Sequence, residues 1–216
     1  MKDTKEIVLF FKENTSFSLV DISKEILVRY PELGDPIILP DNGKTRSPLI
    51  LFNTNPDFQM QISRVSLNFV INHVYFKKIE EIIFDIVDLF EEAKCYFYRM
   101  GYISSIFMPS DYVDKVKDRF LCVDELEDIE DFNLSWYRSF NNKFGSINCW
   151  ERFITNAVDF KDLLIQYDFN TPVQENINFE MKYIKEFIKT ANDYIESRTD
   201  FLWLENLLQY FYLFYG

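Results

Sequence analysis

Apolar side chains recur along this chain with two periods, one of two residues and one of three to four, and the switches between them outline the fold. Ile7 to Phe11 is a short apolar run that predicts a buried strand. The stretch from Asn14 to Lys24 is mixed, and Ile26 to Tyr30 predicts either a second short strand or a helical turn. Pro31, Gly34, Asp35, Pro36, Pro40, Asn42, Gly43 and Pro48 then form the main loop-rich region, because Pro and Gly interrupt regular structure. Pro48-Leu-Ile-Leu-Phe52 predicts a strand, and Asn53 to Asp57 a hairpin connection. Beyond it Phe58, Met60 and Ile62 alternate on one face, and the alternation resumes one residue out of phase as Val65, Leu67, Phe69 and Ile71. A long strand with a β-bulge at Ser63-Arg64 keeps both sets on the core face.

The clearest helix follows. Phe76, Ile79, Ile82, Ile83, Ile86, Leu89, Phe90 and Ala93 form an apolar stripe, and charged residues from Lys77 to Glu92 cover the opposite side. Tyr96, Tyr98, Met100 and Tyr102 alternate as a strand ending near Pro109, and Ser110 caps a short helix that reaches Phe120. Phe132 to Phe140 and Ile147 to Ile154 predict two antiparallel strands joined at Asn141 to Gly145, and Leu163, Ile165, Tyr167 and Phe169 predict one more. Phe179, Tyr183, Ile184, Phe187, Ile188, Ala191, Tyr194 and Ile195 make a helical stripe, and a last segment from Asp200 to Tyr215 is apolar nearly all round. The expectation is an α+β fold: antiparallel sheet with one middle helix and a C-terminal helix pair packed on one face. Residues 1–216 read as a single domain, with an imperfect echo of element order that would divide it into two similar halves, about 1–120 and 121–216.

Composition narrows the function. Forty-eight per cent of the residues are hydrophobic, enough for a large core. Thirty-five acids face 23 bases, a net charge of −12, which repels phosphate backbones and anionic membranes and favours basic partners. No duplex nucleic acid or membrane is therefore expected as a direct partner. Acidity that only keeps an apolar-rich protein soluble is the competing explanation. Cys95, Cys122 and Cys149 are widely spaced, with no CxxC pair, as reduced thiols in a cytoplasm would be. The N-terminus lacks the longer apolar stretch of a secretory signal, and no run approaches the roughly 20 apolar residues that span a bilayer.

Catalytic motifs are not found. His73 is the one histidine and has no diagnostic neighbours, which disfavours Ser-His and Cys-His nucleophiles and the usual zinc sites. The five glycines are too scattered for a dinucleotide fingerprint or a P-loop. No catalytic residue, cofactor or metal ligand is assigned. Two surfaces remain as candidates. Asp124, Glu125, Glu127, Asp128, Glu130 and Asp131 form an acidic run that reads as a solvated connection, a patch for a Lys/Arg-rich surface, or a weak cation site. Trp203, Leu207, Phe211, Tyr212, Phe214 and Tyr215 belong to a segment that must be buried, in the chain's own core, in a homodimer interface or in a client groove. Trp136, Tyr137, Trp150 and Phe153 flank the hairpin and read as core packing, since stacking of bases also needs a basic groove.

Several short motifs also resemble a family of uncharacterised, sporadically distributed bacterial proteins. They are Pro48-Leu-Ile-Leu-Phe52 through Val65-Ser-Leu-Asn68, Tyr98-Arg-Met-Gly-Tyr102, and, with the best match over residues 163–191, Leu163-Leu-Ile-Gln-Tyr-Asp-Phe-Asn-Thr171 followed by helices of the form seen in Tyr183 to Ala191. The resemblance carries no enzyme activity and no functional residue. Its patchy distribution implies mobile elements, phage conflict or toxin systems. Together these readings lead to a non-enzymatic acidic protein that occupies a basic, nucleic-acid-binding surface of a partner such as a defence effector. The alternatives are a chaperone or antitoxin-like module with apolar grooves, and a nuclease using carboxylates and a divalent metal.

Overall fold

The structure, a computed structural model, describes residues 3–12, 18–40, 49–55, 57–108, 111–120, 131–143, 145–155, 162–173 and 177–199. The strands are β1 (Thr4–Phe11), β2 (Ile37–Ile38), β3 (Ile50–Asn55), β4 (Phe58–Ile62), β5 (Ser66–Asn72), β6 (Phe97–Met108), β7 (Asn133–Asn142), β8 (Gly145–Thr155) and β9 (Leu163–Asn170). The α-helices are α1 (Leu19–Arg29), α2 (Phe76–Glu92), α3 (Asp111–Phe120) and α4 (Met181–Thr199). All nine strands join one antiparallel sheet in the order β2-β3-β4-β5-β1-β6-β9-β8-β7. The fold is therefore α+β.

The order has a simple logic. β1 and β6 are the central pair. Each is followed by a helix and then by a three-stranded meander, β3-β4-β5 or β7-β8-β9, whose last strand docks outside β1 or β6. A second helix, α2 or α4, closes each series. Along β1 the burial alternates strictly, so Lys5, Ile7, Leu9 and Phe11 share the core face. Phe69 lies opposite Ile7 on one side and Tyr102 on the other, and Phe169 lies beyond Tyr102. α2 contributes Ile83, Ile86, Val87 and Phe90, and α4 contributes Ile184, Phe187, Ile188 and Ala191, to the same buried cluster. Each of the Ile, Val and Phe side chains in this set stabilises the fold by roughly 1.5–3 kcal/mol relative to exposure.

Two local expectations change, and a third is decided. The phase shift at Ser63-Arg64 is a hairpin, with Ile62 opposite Leu67 across an antiparallel pair. Ser63 N donates to Ser66 O at 2.8 Å, and Ser63 Oγ accepts from the Ser66 amide at 2.9 Å, so the serine itself closes the turn. A bulge and a tight turn shift parity by the same single residue, so alternation does not separate them. The irregularity lies instead in β6, where the register against β1 slips between Phe10 and Phe11 and both Phe97 and Met100 reach the core. Tyr96 is thereby left exposed. Of the two alternatives for Ile26 to Tyr30 the helical one holds, as the end of a longer α1 with Tyr30 as its C-cap; Ile22 and Ile26 form a buried i,i+4 pair and Ser18 Oγ caps the Asp21 amide. The middle helix is thus accompanied by α1 and α3, while the second member of the C-terminal helix pair lies outside the described residues.

Candidate functional site

α2 and α4 run antiparallel over the central strands, since Phe84 of α2 meets Lys185 of α4 while Phe76, at the α2 N-terminus, and Asn192, far along α4, both contact Lys5. Towards the start of β1 the two helices part and leave a groove of about 690 Å³. Phe76, Lys77, Glu80 and Phe84 line it from α2, at the i, i+1, i+4 and i+8 spacing of one helical face, and Lys185, Lys189, Asn192, Asp193 and Glu196 line it from α4.

Lys5 forms the floor. It is the first core-facing residue of β1 and is only 5% exposed. Its Nζ donates to Asn192 Oδ1 at 2.5 Å and lies 4.3 Å from the centre of the Phe76 ring. Tyr102 OH donates to the same Oδ1 at 2.7 Å. A lysine cannot accept, so the ammonium orients the Asn192 amide. Burial pushes the Lys5 amine down to about 8, helped by Lys77 and opposed by Glu196 and Glu80. Burial also raises the Tyr102 hydroxyl, with Glu80 and Glu196 adding to it, and lowers His73, where the Lys5 charge adds to it. His73 opens the turn before α2 and sits on the groove wall. Four lysines face three carboxylates here, in a chain of net charge −12.

A second buried polar cluster lies between α4 and the β7–β8 hairpin. Glu151 is buried, accepts from Arg138 Nε at 2.8 Å and from Tyr194 OH, and has Arg198 at 4.0 Å. With its charge matched by two arginines, this carboxylate ties the helix to the sheet. Cys149 beside it and Cys95 are free and buried, and burial pushes their thiols up to about 12 and about 11, away from thiolate reactivity. Cys122 lies outside the described residues.

α2 also carries an acidic stripe. Glu81, Asp85, Asp88 and Glu92 stand at i, i+4, i+7 and i+11, with Arg29 reaching Glu92 at 3.4 Å and Tyr30 OH donating to Asp85 at 2.5 Å. Its charge order runs against the helix macrodipole: the first turn has no acid and the last turn has no base. Glu91 is held above the usual carboxylate range by burial and by Asp88 and Glu180 nearby, against a lowering hydrogen bond from the Met181 backbone.

Of the acidic run, Asp124, Glu125, Glu127, Asp128 and Glu130 lie outside the described residues, as do Trp203, Leu207, Phe211, Tyr212, Phe214 and Tyr215. Asp131 is exposed and accepts from Thr155 Oγ1 at 2.8 Å, a contact that anchors the start of β7. The four hairpin aromatics divide between two faces. Phe153 is buried and Trp136 packs on it edge-to-face at 5.3 Å, whereas Tyr137 and Trp150 are 53% and 37% exposed, 5.1 Å apart on the opposite face. The apolar run Ile7 to Phe11 stops one alternation step short of Lys5. Extending the alternation back by one step places a lysine on the apolar parity, the signal that marks it. Asn192 had no such signal. Among the described residues no helix is long and apolar enough to cross a membrane. No protein-family model matches the chain, and no curated protein matches it.

Proposed function

We propose that this protein is a non-enzymatic binding module that uses an acidic surface to occupy a Lys/Arg-rich surface of a partner protein, of the kind that itself binds phosphate backbones. The observation that carries this reading is the reversed charge order of α2. Acids near a helix C-terminus cost about 0.3–1 kcal/mol each, so helix stability does not explain their placement. Arg29 and Tyr30 offset that cost at Glu92 and Asp85 from α1, and a local rule still broken along the rest of the helix is a mark of function. At a rise of about 1.5 Å per residue, Glu81, Asp85, Asp88 and Glu92 spread negative charge over about 16 Å. A cationic partner relieves the repulsion that this row imposes on itself. The acidic run from Asp124 to Asp131 extends the same chemistry.

The test is binding to an Arg-rich peptide, with affinity followed against salt. Glu81→Gln, Asp85→Asn, Asp88→Asn and Glu92→Gln together are expected to weaken binding by about tenfold or more. The control of equal charge, Glu32→Gln, Asp35→Asn, Asp114→Asn and Asp118→Asn, is expected to lose far less. Equal losses in both variants would reduce the acidity to a solubility device, and an affinity indifferent to salt would remove the reading altogether.

A further inference from the structure

We infer that the groove between α2 and α4 is a binding site for a small organic monoanion, a carboxylate head on a short apolar body, and that Lys5 receives the head. The inference is independent of the α2 stripe, since Glu81, Asp85, Asp88 and Glu92 do not line this groove. An ammonium has three donors, and among the described residues Lys5 makes one hydrogen bond, to an Asn192 oxygen already shared with Tyr102, and no ion pair. Glu196 and Glu80 act on this charge only from beyond ion-pair distance, and burying a cation without a direct partner ion is costly. Here the cation is kept where the space between the two helices is ligand-sized. A carboxylate arriving there supplies the missing acceptor and charge.

The walls define the rest of the ligand. Phe76 and Phe84 offer apolar surface to a short hydrocarbon body. Lys77, Lys185 and Lys189 draw an anion inward, while Glu80, Asp193 and Glu196 limit the surplus of positive charge. A polyanion would meet these three carboxylates and the acidic body around them, so a single negative charge is what the groove takes.

The test uses the full chain, with octanoate as the probe and octanamide as its neutral counterpart, followed by calorimetry and by amide shifts of the groove residues. Octanoate is expected to bind at pH 7 about tenfold or more tighter than octanamide, with shifts at His73, Asn192 and their neighbours. Lys5→Met is expected to remove that preference. In the unaltered protein octanoate affinity is expected to fall as pH rises above about 8, where Lys5 loses its proton and the probe's charge is constant. His73, Lys77, Lys185, Lys189, Glu80, Asp193 and Glu196 face the same groove, and Tyr102 is buried against its Asn192, so the Lys5→Met profile serves as the reference. If Lys5→Met does not fold, the pH profile and the octanamide comparison decide. Equal affinity for the two probes, no binding of either in the groove, or octanoate binding that does not weaken above pH 8 would each overturn the inference.

Discussion

The two ends of the seam between α2 and α4 make opposite use of the same strands. Where the C-terminal end of α2 meets the start of α4, the space is filled by rings: Phe11 lies 5.3 Å from Phe90 and 5.1 Å from Phe97, and a backbone bridge joins Phe97 to the buried Phe179. At the other end Phe76 faces a lysine, and the helices enclose a groove. β1 supplies both, since Phe11 and Lys5 lie on the same face of one strand. The closed end is built for stability, because rings in contact bury area and need no partner. The open end keeps a charge in place of a ring, at a cost to the ligand-free fold.

Removing a ring from the closed end is the strongest way to break the comparison. Phe90→Ala is expected to cost about 3–5 kcal/mol in denaturant unfolding, because the cavity would lie among residues with no freedom to collapse into it. Titrating the open end comes next. The unfolded chain takes up the Lys5 proton near pH 10.5 and the native protein only near pH 8, so native stability rises as pH increases through this window. Below pH 8 the full penalty is present. The stability gained by Lys5→Met over the unaltered protein is therefore expected to shrink by on the order of 3 kcal/mol between pH 7 and pH 10.5, read from paired unfolding curves. A constant difference would mean that the amine is hydrated in the native state. The smallest effect sharpens the picture: Asn192→Ala leaves the Lys5 and Tyr102 donors without their shared acceptor and is expected to cost about 1–3 kcal/mol. A loss well below that range would show water already serving these donors.

The fold and the site were legible to different degrees. α2 was plain, because eight apolar residues keep helical spacing across it. β8 and β9 were equally plain from period-two alternation. α1 was obscured because Val20 and Val28 are apolar yet exposed, which blurs the stripe made by Ile22 and Ile26. The Ser63 turn was misplaced because parity alone does not tell a turn from a bulge. Of the site, His73 was noted without a role, Lys5 was one strand step from notice, and Asn192 was silent, since a polar residue beside a helical stripe is ordinary.

By itself the sequence determined α2, α4 and most of the strands, and that one sheet face would be apolar. Those signals act over one to four residues, within reach of local sterics and side-chain spacing. Tertiary structure alone decided that β1 lies between β5 and β6, and that α2 and α4 meet over the β1–β6 pair. Lys5 and Asn192 are 187 positions apart, and no local pattern couples residues at that distance. Their hydrogen bond exists because assembly of the sheet on both sides of β1 brings both helices over its first residues, and with them the buried charge at the floor of the groove.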